Sequence, residues 1–261
     1  MKHISSPDNL FYKELVKLSG SARQRGKSGQ TLLDGAHLLA AYLACGKLPL
    51  HLIVTASSLQ DAEIASLINK SPDVPLTQLD DALFAGLSEL KTISGVLALI
   101  TVPQTEILAQ ESNFCLLLES IQDPGNLGSM LRSAAAAGCD AVFMSKGCAD
   151  AWSPKVLRAA MGGHFVLELH EHADLLAVAS AFPGTIFAAA LAAGSSLYAS
   201  RLHGEIAFAI GNEGAGLSQE LLGKSVPVTI PMPGKIESLN AAAATAICLF
   251  EAVRQRSVLT A

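Results

Sequence analysis

Along the first hundred residues, short apolar runs alternate with stretches whose apolar positions recur every three or four residues. Thr31–Leu33, His51–Thr55, Val74–Thr77 and Gly95–Ile100 have the character of strands, and Ala36–Cys45, Leu59–Asn69 and Asp80–Leu87 carry helical spacing. Buried parallel strands read as continuous apolar runs, and each needs a helical crossover to reach the next, so this alternation predicts βαβ units. The stretch PQTEILAQESN from 103 to 113 loses the periodicity, as an interdomain linker does. Beyond it strand-like runs recur at Phe114–Glu119, Ala141–Met144, Thr185–Leu191, Ile206–Ile210 and Val226–Pro231. Helical spacing falls between and after them, at Leu127–Ala137, Pro154–Met161, Ala173–Phe182 and Leu239–Arg254. The pattern predicts two α/β domains, 1–102 and 114–261, joined by a linker at 103–113, with no internal repeat.

Composition agrees with two packed units. Half of the 261 residues are apolar and 16% are charged, enough to bury sizeable cores. No apolar run approaches the roughly 20 residues of a membrane-spanning helix. The start, Met-Lys-His-Ile, lacks the apolar stretch of a secretory signal, so a cytoplasmic protein is expected. The five cysteines (Cys45, Cys115, Cys139, Cys148, Cys248) are odd in number and contain no C-x-x-C pair, and they read as buried, reduced thiols.

Charge changes the picture locally. The chain carries −5 overall, yet its first 27 residues hold six lysines and arginines against Asp8 and Glu14, a local +4. Lys13, Lys17, Arg23 and Arg25 are therefore candidate contacts to phosphates. An ordinary solvated helix surface explains the cluster equally well.

Three segments carry candidate chemistry. The run from Leu116 to Arg132 passes from an apolar strand through Asp123-Pro-Gly125 into a helix, placing Asn126, Gly128 and Arg132 where ligands bind in open α/β sheets. Taken alone it equally reads as a loop and a surface cation. The second follows the strand Ile206–Ile210 as Gly211-Asn-Glu-Gly-Ala-Gly-Leu217. Its glycines permit close backbone approach, but the spacing is not G-x-G-x-x-G and no P-loop lysine follows, which weakens a nucleotide-dependent oxidoreductase reading. The third, Ile230-Pro-Met-Pro-Gly-Lys-Ile-Glu-Ser-Leu-Asn240, is a constrained loop leading into an alanine-rich helix. Helix capping accounts for one of Ser238 and Asn240 but not both. His170-Glu-His172 has a spacing that would suit zinc, but no third ligand follows, so no metal is expected. Trp152 and Phe143 read as packing residues before base-stacking ones.

Together the three segments resemble the SpoU family of RNA 2′-O-ribose methyltransferases of the SPOUT class, over essentially the whole chain. The motifs are Asn126-x-Gly128-x-x-x-Arg132, Asn212-Glu-Gly214-x-Gly216-Leu217, and Ile230-Pro-Met232 through Ser238-Leu-Asn240. Ser153–Phe165 looks like the family's helix after its second strand. A looser likeness to the family's small substrate-binding domain runs through Ile4–Asn9, Ser21–Arg25 and Leu32–Gly35.

The resemblance implies an α/β fold: a small N-terminal RNA-binding domain, then a parallel-sheet domain with a deep trefoil knot, which connection rules alone would reject. It implies S-adenosylmethionine held by backbone at Gly211, Ile230 and Leu239 with Met232 nearby, and a catalytic set of Asn126, Arg132, Glu213, Ser238 and Asn240. It further implies a homodimer formed through the knotted domain and an RNA substrate. Ribosomal RNA is favoured over transfer RNA, and a catalytically silent RNA-binding protein on the same fold is the rival. Arg132 is read either as a base assisted by the substrate phosphate or as a cation stabilising the emerging alkoxide. Ala241 and Ala242 depart from the valine and serine common in the family, and Asp34 stands where glutamate is usual.

Overall fold

The computed structural model describes residues 1–88, 93–105, 109–191 and 195–259, the side chains of 258 and 259 excepted. Residues 106–108 of the expected linker lie outside the described residues. The chain forms two compact units, one of residues 1–104 with 152–165, the other of 105–151 with 166–261.

The first unit is built on strands β1 (Lys2–Ile4), β2 (Gln30–Asp34), β3 (His51–Thr55), β4 (Leu76–Leu79) and β5 (Val96–Thr101), in the order β1-β4-β3-β5-β2. The helices are α1 (Leu10–Gly20), α2 (Ala22–Ser28), α3 (Ala36–Ala44), α4 (Ala62–Asn69) and α5 (Asp81–Ala85). Strand alternation sends Leu32, Ile53, Leu79, Leu97 and Leu99 to one face, where Tyr12, Leu15 and Leu18 of α1 and Phe84 of α5 cover them. The sheet is mixed: β5 runs antiparallel to both β3 and β2. The βαβ reading holds for β3, α4 and β4 and fails for β5, because VLALI is buried on both faces and hydropathy reports burial, not direction. The helix Pro154–Ala160 (α7), read as part of the C-terminal domain, packs on β2 and belongs to this unit. Its Pro154, Val156, Leu157 and Ala160 are buried, and the Thr31 hydroxyl donates to the Trp152 carbonyl at 2.8 Å. Asp34 is buried and accepts the hydroxyls of Ser88 and Ser94.

Sequence periodicity missed α1 and α2, whose basic residues drew the reading toward a surface. Asn9 caps α1 and Ser21 caps α2 through their side chains. Arg25 also departs from expectation. It is only 6% exposed, and its guanidinium donates to the carbonyls of Leu18 and Ser19 at the end of α1. Lys13, Lys17 and Arg23 remain exposed, with Lys13 paired to Asp8 at 2.7 Å. Arg25 is thus a structural clamp and not an exposed phosphate contact. Arg25→Ala is expected to cost about 2–3 kcal/mol, because buried carbonyls lose a charged donor, whereas Arg23→Ala leaves stability unchanged; paired thermal melts compare the two.

The second unit holds β6 (Phe114–Leu118), β7 (Ala141–Met144), β8 (Glu168–His170), β9 (Thr185–Ala189), β10 (Ser195–Ser196), β11 (Ile206–Ile210) and β12 (Val226–Thr229). All pair parallel, in the order β10-β12-β9-β11-β6-β7-β8. Around them lie α6 (Pro124–Ala137), α8 (Leu175–Ala181), α9 (Gln219–Leu222) and α10 (Ala241–Leu259). Cys115, Leu117, Phe143, Ile186, Ala207 and Ala209 face Leu175 and Val178 of α8 and Leu221 of α9. On the opposite side α10 packs on α6 and on β11. The short β8, β10 and α9 escaped prediction because two to four residues carry no readable period. Trp152 and Phe143 are buried, and His170 stacks on Phe143 with ring centroids 4.6 Å apart.

Among the cysteines, Cys45 is exposed, contrary to expectation, while Cys115, Cys139 and Cys248 are buried. Burial pushes the Cys115 thiol up to about 11 and Cys248 up to about 12, so these sulfurs stay protonated and unreactive. No helix among the described residues is long and apolar enough to cross a membrane.

Candidate functional site

From β6 the chain steps outward through β7 to β8, whereas β11, β9 and β12 lie on the other side of β6. The loops leaving the carboxyl ends of β6 and β11 therefore part, opening the crevice where open α/β sheets bind ligands. Two clamps tie these loops together. Glu119, immediately after β6, accepts the Ser218 backbone N–H and hydroxyl, both at 2.7 Å. Asn212, after β11, donates to the Ser120 carbonyl at 2.8 Å, and its own side-chain oxygen accepts from the N–H groups of Gly214 and Ala215. Asn212 opens the second motif, whereas Glu119 and Ser218 were not singled out from sequence. A carboxylate directly after the five-residue buried run FCLLL was the available signal.

Gly211 lies where the turn is tightest: an added Cβ would stand 2.2 Å from the Gly216 carbonyl carbon and 2.3 Å from the Leu217 nitrogen. Gly216 closes the turn at φ 72°, a left-handed conformation that glycine adopts freely. Above this turn and the chain after β12 opens a cavity of about 620 Å³. Gly211, Ile230, Met232 and Leu239, the four positions expected to hold cofactor, all line it. Glu213, Ser238 and Asn240 of the expected catalytic set line it as well.

The network on its rim joins all three motif segments. Asn126 donates from its amide to Glu213 at 2.9 Å, and Asn240 donates to the Asn126 side-chain oxygen, also at 2.9 Å. Asn240 at the same time caps α10, its oxygen accepting the N–H groups of Ala242 and Ala243. One amide thus caps α10 through its oxygen and joins the rim network through its nitrogen. Ala241 and Ala242 leave that cap intact. Asn126 is itself seated by Asp123, the α6 cap, which accepts its backbone N–H at 2.7 Å.

Arg132 is not joined to this network. Because α6 starts at Pro124 and not at Leu127, Arg132 is the ninth residue of the helix, about 9 Å along the axis from Asn126. It is exposed and makes no hydrogen bond or ion pair among the described residues. Ser238 is exposed too, without a side-chain partner among them. Ile236, 73% exposed on the same loop, presents an apolar side chain to solvent.

Further along the helix that Asn240 caps, Glu251 accepts two N–H groups of Arg254 and the amide of Gln255 one turn on, each at 2.8 Å. Arg254 holds the Glu251 carboxyl down to about 2, against an ordinary 4.5. A depressed folded-state value stabilises the fold above pH 4.5, and that stabilisation is lost as pH falls through about 2. Glu251→Gln should therefore flatten the fall in melting temperature between those pH values; an acid profile parallel to that of the unaltered chain would remove Glu251 from this role.

The chain was compared with known proteins. Residues 113–250 match the model of the SpoU rRNA Methylase family. A relative in Bacillus subtilis, 23S rRNA (guanosine(2553)-2′-O)-methyltransferase RlmP, is 30% identical over 96% of this chain and 98% of its own. A crystal structure of an RNA 2′-O ribose methyltransferase superposes with a TM-score of 0.84 at 29% identity, covering 98% of this chain and 99% of that one. The SpoU methyltransferase AviRb of Streptomyces viridochromogenes, crystallised with AdoMet, superposes with a TM-score of 0.84 at 25% identity over 95% and 98% of the two chains.

Proposed function

The chain belongs to the SpoU rRNA methylase family, and from that membership we propose that it methylates a ribose 2′-hydroxyl of ribosomal RNA with S-adenosylmethionine. The observation that carries this reading is the hydrogen-bonded chain Glu213–Asn126–Asn240, which draws three separated motifs to the rim of one cavity. The cavity fits the cofactor. Its volume lies in the range of small-molecule sites, and its walls offer backbone at Gly211, Ile230 and Leu239 and apolar surface at Met232.

When bound, S-adenosylmethionine supplies a methyl group activated on a sulfonium. The protein's part is to hold the 2′-oxygen in line and to manage its proton and charge. Asn126, oriented from both sides by Glu213 and Asn240, has its amide fixed for the ribose. Ser238 supplies an uncommitted hydroxyl to the cofactor loop or the entering nucleotide. Arg132, exposed and unpaired among the described residues, meets the substrate phosphate as a cation. We assign the first unit to RNA binding through Lys13, Lys17 and Arg23, and the second to methyl transfer around a trefoil knot. The enzyme acts in the cytoplasm as a homodimer formed through the second unit.

Single-turnover reactions on ribosomal RNA transcripts, read by mass spectrometry of nuclease digests, test the activity. A ribose-methylated nucleotide that needs added S-adenosylmethionine is the expected product. Cofactor binding without methylation of any RNA would instead favour the silent RNA-binding protein.

A further inference from the structure

A second concavity lies in the methyl-transfer unit, between the turn that follows β10 and the last turns of α10. It has a volume of about 440 Å³ and is lined by Tyr198, Arg201, His203, Arg254 and Gln255 with the intervening backbone. It shares no residue with the cavity described above. Gln255 staples it in shape, donating to the Ser200 carbonyl at 3.1 Å and accepting the Leu202 N–H at 3.0 Å.

The groups on this surface suit a nucleic-acid backbone. Arg201 is exposed and makes no hydrogen bond or ion pair among the described residues. Arg254 spends Nε and one Nη on Glu251, which fixes its guanidinium plane and leaves the other Nη for an acceptor. Arg256 is engaged elsewhere, its guanidinium lying 4.3 Å from the centre of the Phe114 ring and donating to the Gly204 carbonyl. Arg254 is balanced by Glu251, which leaves Arg201 as the cation of this surface without an ion-pair partner among the described residues. Tyr198 is 52% exposed, and aromatic faces stack on unpaired bases. His203 also lines the concavity, and its Nδ1 is buried with no hydrogen-bond partner among the described residues.

We propose that this concavity is an RNA subsite, in which Arg201 and Arg254 hold a backbone phosphate and Tyr198 stacks on an adjoining base. It rests on the reading that the chain methylates RNA. It adds a contact outside both the first unit and the methyl-transfer cavity. Arg254 already serves Glu251, so the informative variants are Arg201→Ala and Tyr198→Ala, both exposed positions.

Binding of a ribosomal RNA transcript to the full chain is measured across a salt series, beside S-adenosylmethionine titration and methylation. Arg201→Ala should weaken RNA binding by about 5- to 10-fold and lower the slope of log affinity against log salt by about 1. Tyr198→Ala should weaken binding several-fold with the slope kept. Cofactor affinity should be unchanged in both. If both variants bind RNA like the unaltered chain while that chain methylates its transcript, the subsite is refuted and the methyltransferase reading stands. If the unaltered chain neither binds nor methylates RNA, the reading itself fails and takes the subsite with it.

Discussion

Arg132→Ala is expected to slow single-turnover methylation by about 100- to 1000-fold, the usual loss when a charged or donor group facing the transition state is removed. Cofactor affinity should stay within about twofold, because Arg132 contributes nothing to the wall of the 620 Å³ cavity. Arg132→Lys separates the two roles. A cation that meets phosphate or alkoxide keeps its charge as lysine, so part of the rate returns at neutral pH, reduced by the loss of the planar fork. A base would behave otherwise: lysine deprotonates more readily than arginine, and the restored activity would climb steeply with pH. The exposed, unpartnered guanidinium supports the first outcome, since no group among the described residues stands ready to take its proton. Rates across a pH series with both variants decide it, and a near-normal rate for the alanine variant would take Arg132 out of the reaction.

Gly211→Ala is expected to lower S-adenosylmethionine affinity by about 100-fold or more and to destabilise the chain by about 1–3 kcal/mol. Its Cβ would fall 2.2, 2.3 and 2.4 Å from backbone atoms of Gly216 and Leu217, where no rotamer change gives relief. The turn must open, and with it goes one wall of the cavity. Gly214→Ala is the control, because its Cβ would meet only the Asn212 side-chain oxygen at an ordinary 3.5 Å. Calorimetric titration of the two variants should give opposite results, and wild-type affinity in Gly211→Ala would mean that this turn is not part of the cofactor site.

Much of this arrangement was readable from the sequence because the second unit follows simple rules. Runs such as FCLLL and IAFAI, buried on both faces, locate β6 and β11, and the polar segments that follow them fall at the strand ends. What did not transfer was direction and partnership. The antiparallel β5 has the same apolar texture as a parallel strand, and Arg25 looks like its exposed neighbours although it is spent on two carbonyls. The hydrogen bonds from Asn126 to Glu213 and from Asn240 to Asn126 follow from the likeness to a family only as a grouping; which atoms meet is set by how the loops pack. Glu119 escaped notice because a strand-end carboxylate shows its purpose only once Ser218 is seen beside it.

The clamps of the site join partners that are 92, 99 and 114 residues apart along the chain, and the central strands β6 and β11 are as widely separated. Such closures come late and slowly, because each must offset the entropy of a long loop before any contact rewards it. During synthesis on a ribosome β6 is made long before β11 and waits with that edge unpaired, the condition under which partly made chains associate wrongly. Asn240 follows both strands along the chain, so no methyl-transfer site exists until the segment leading into α10 has been made. Activity therefore waits on the synthesis of α10, and truncation within that helix, which packs on α6 and β11, should yield insoluble chains and not weak enzyme.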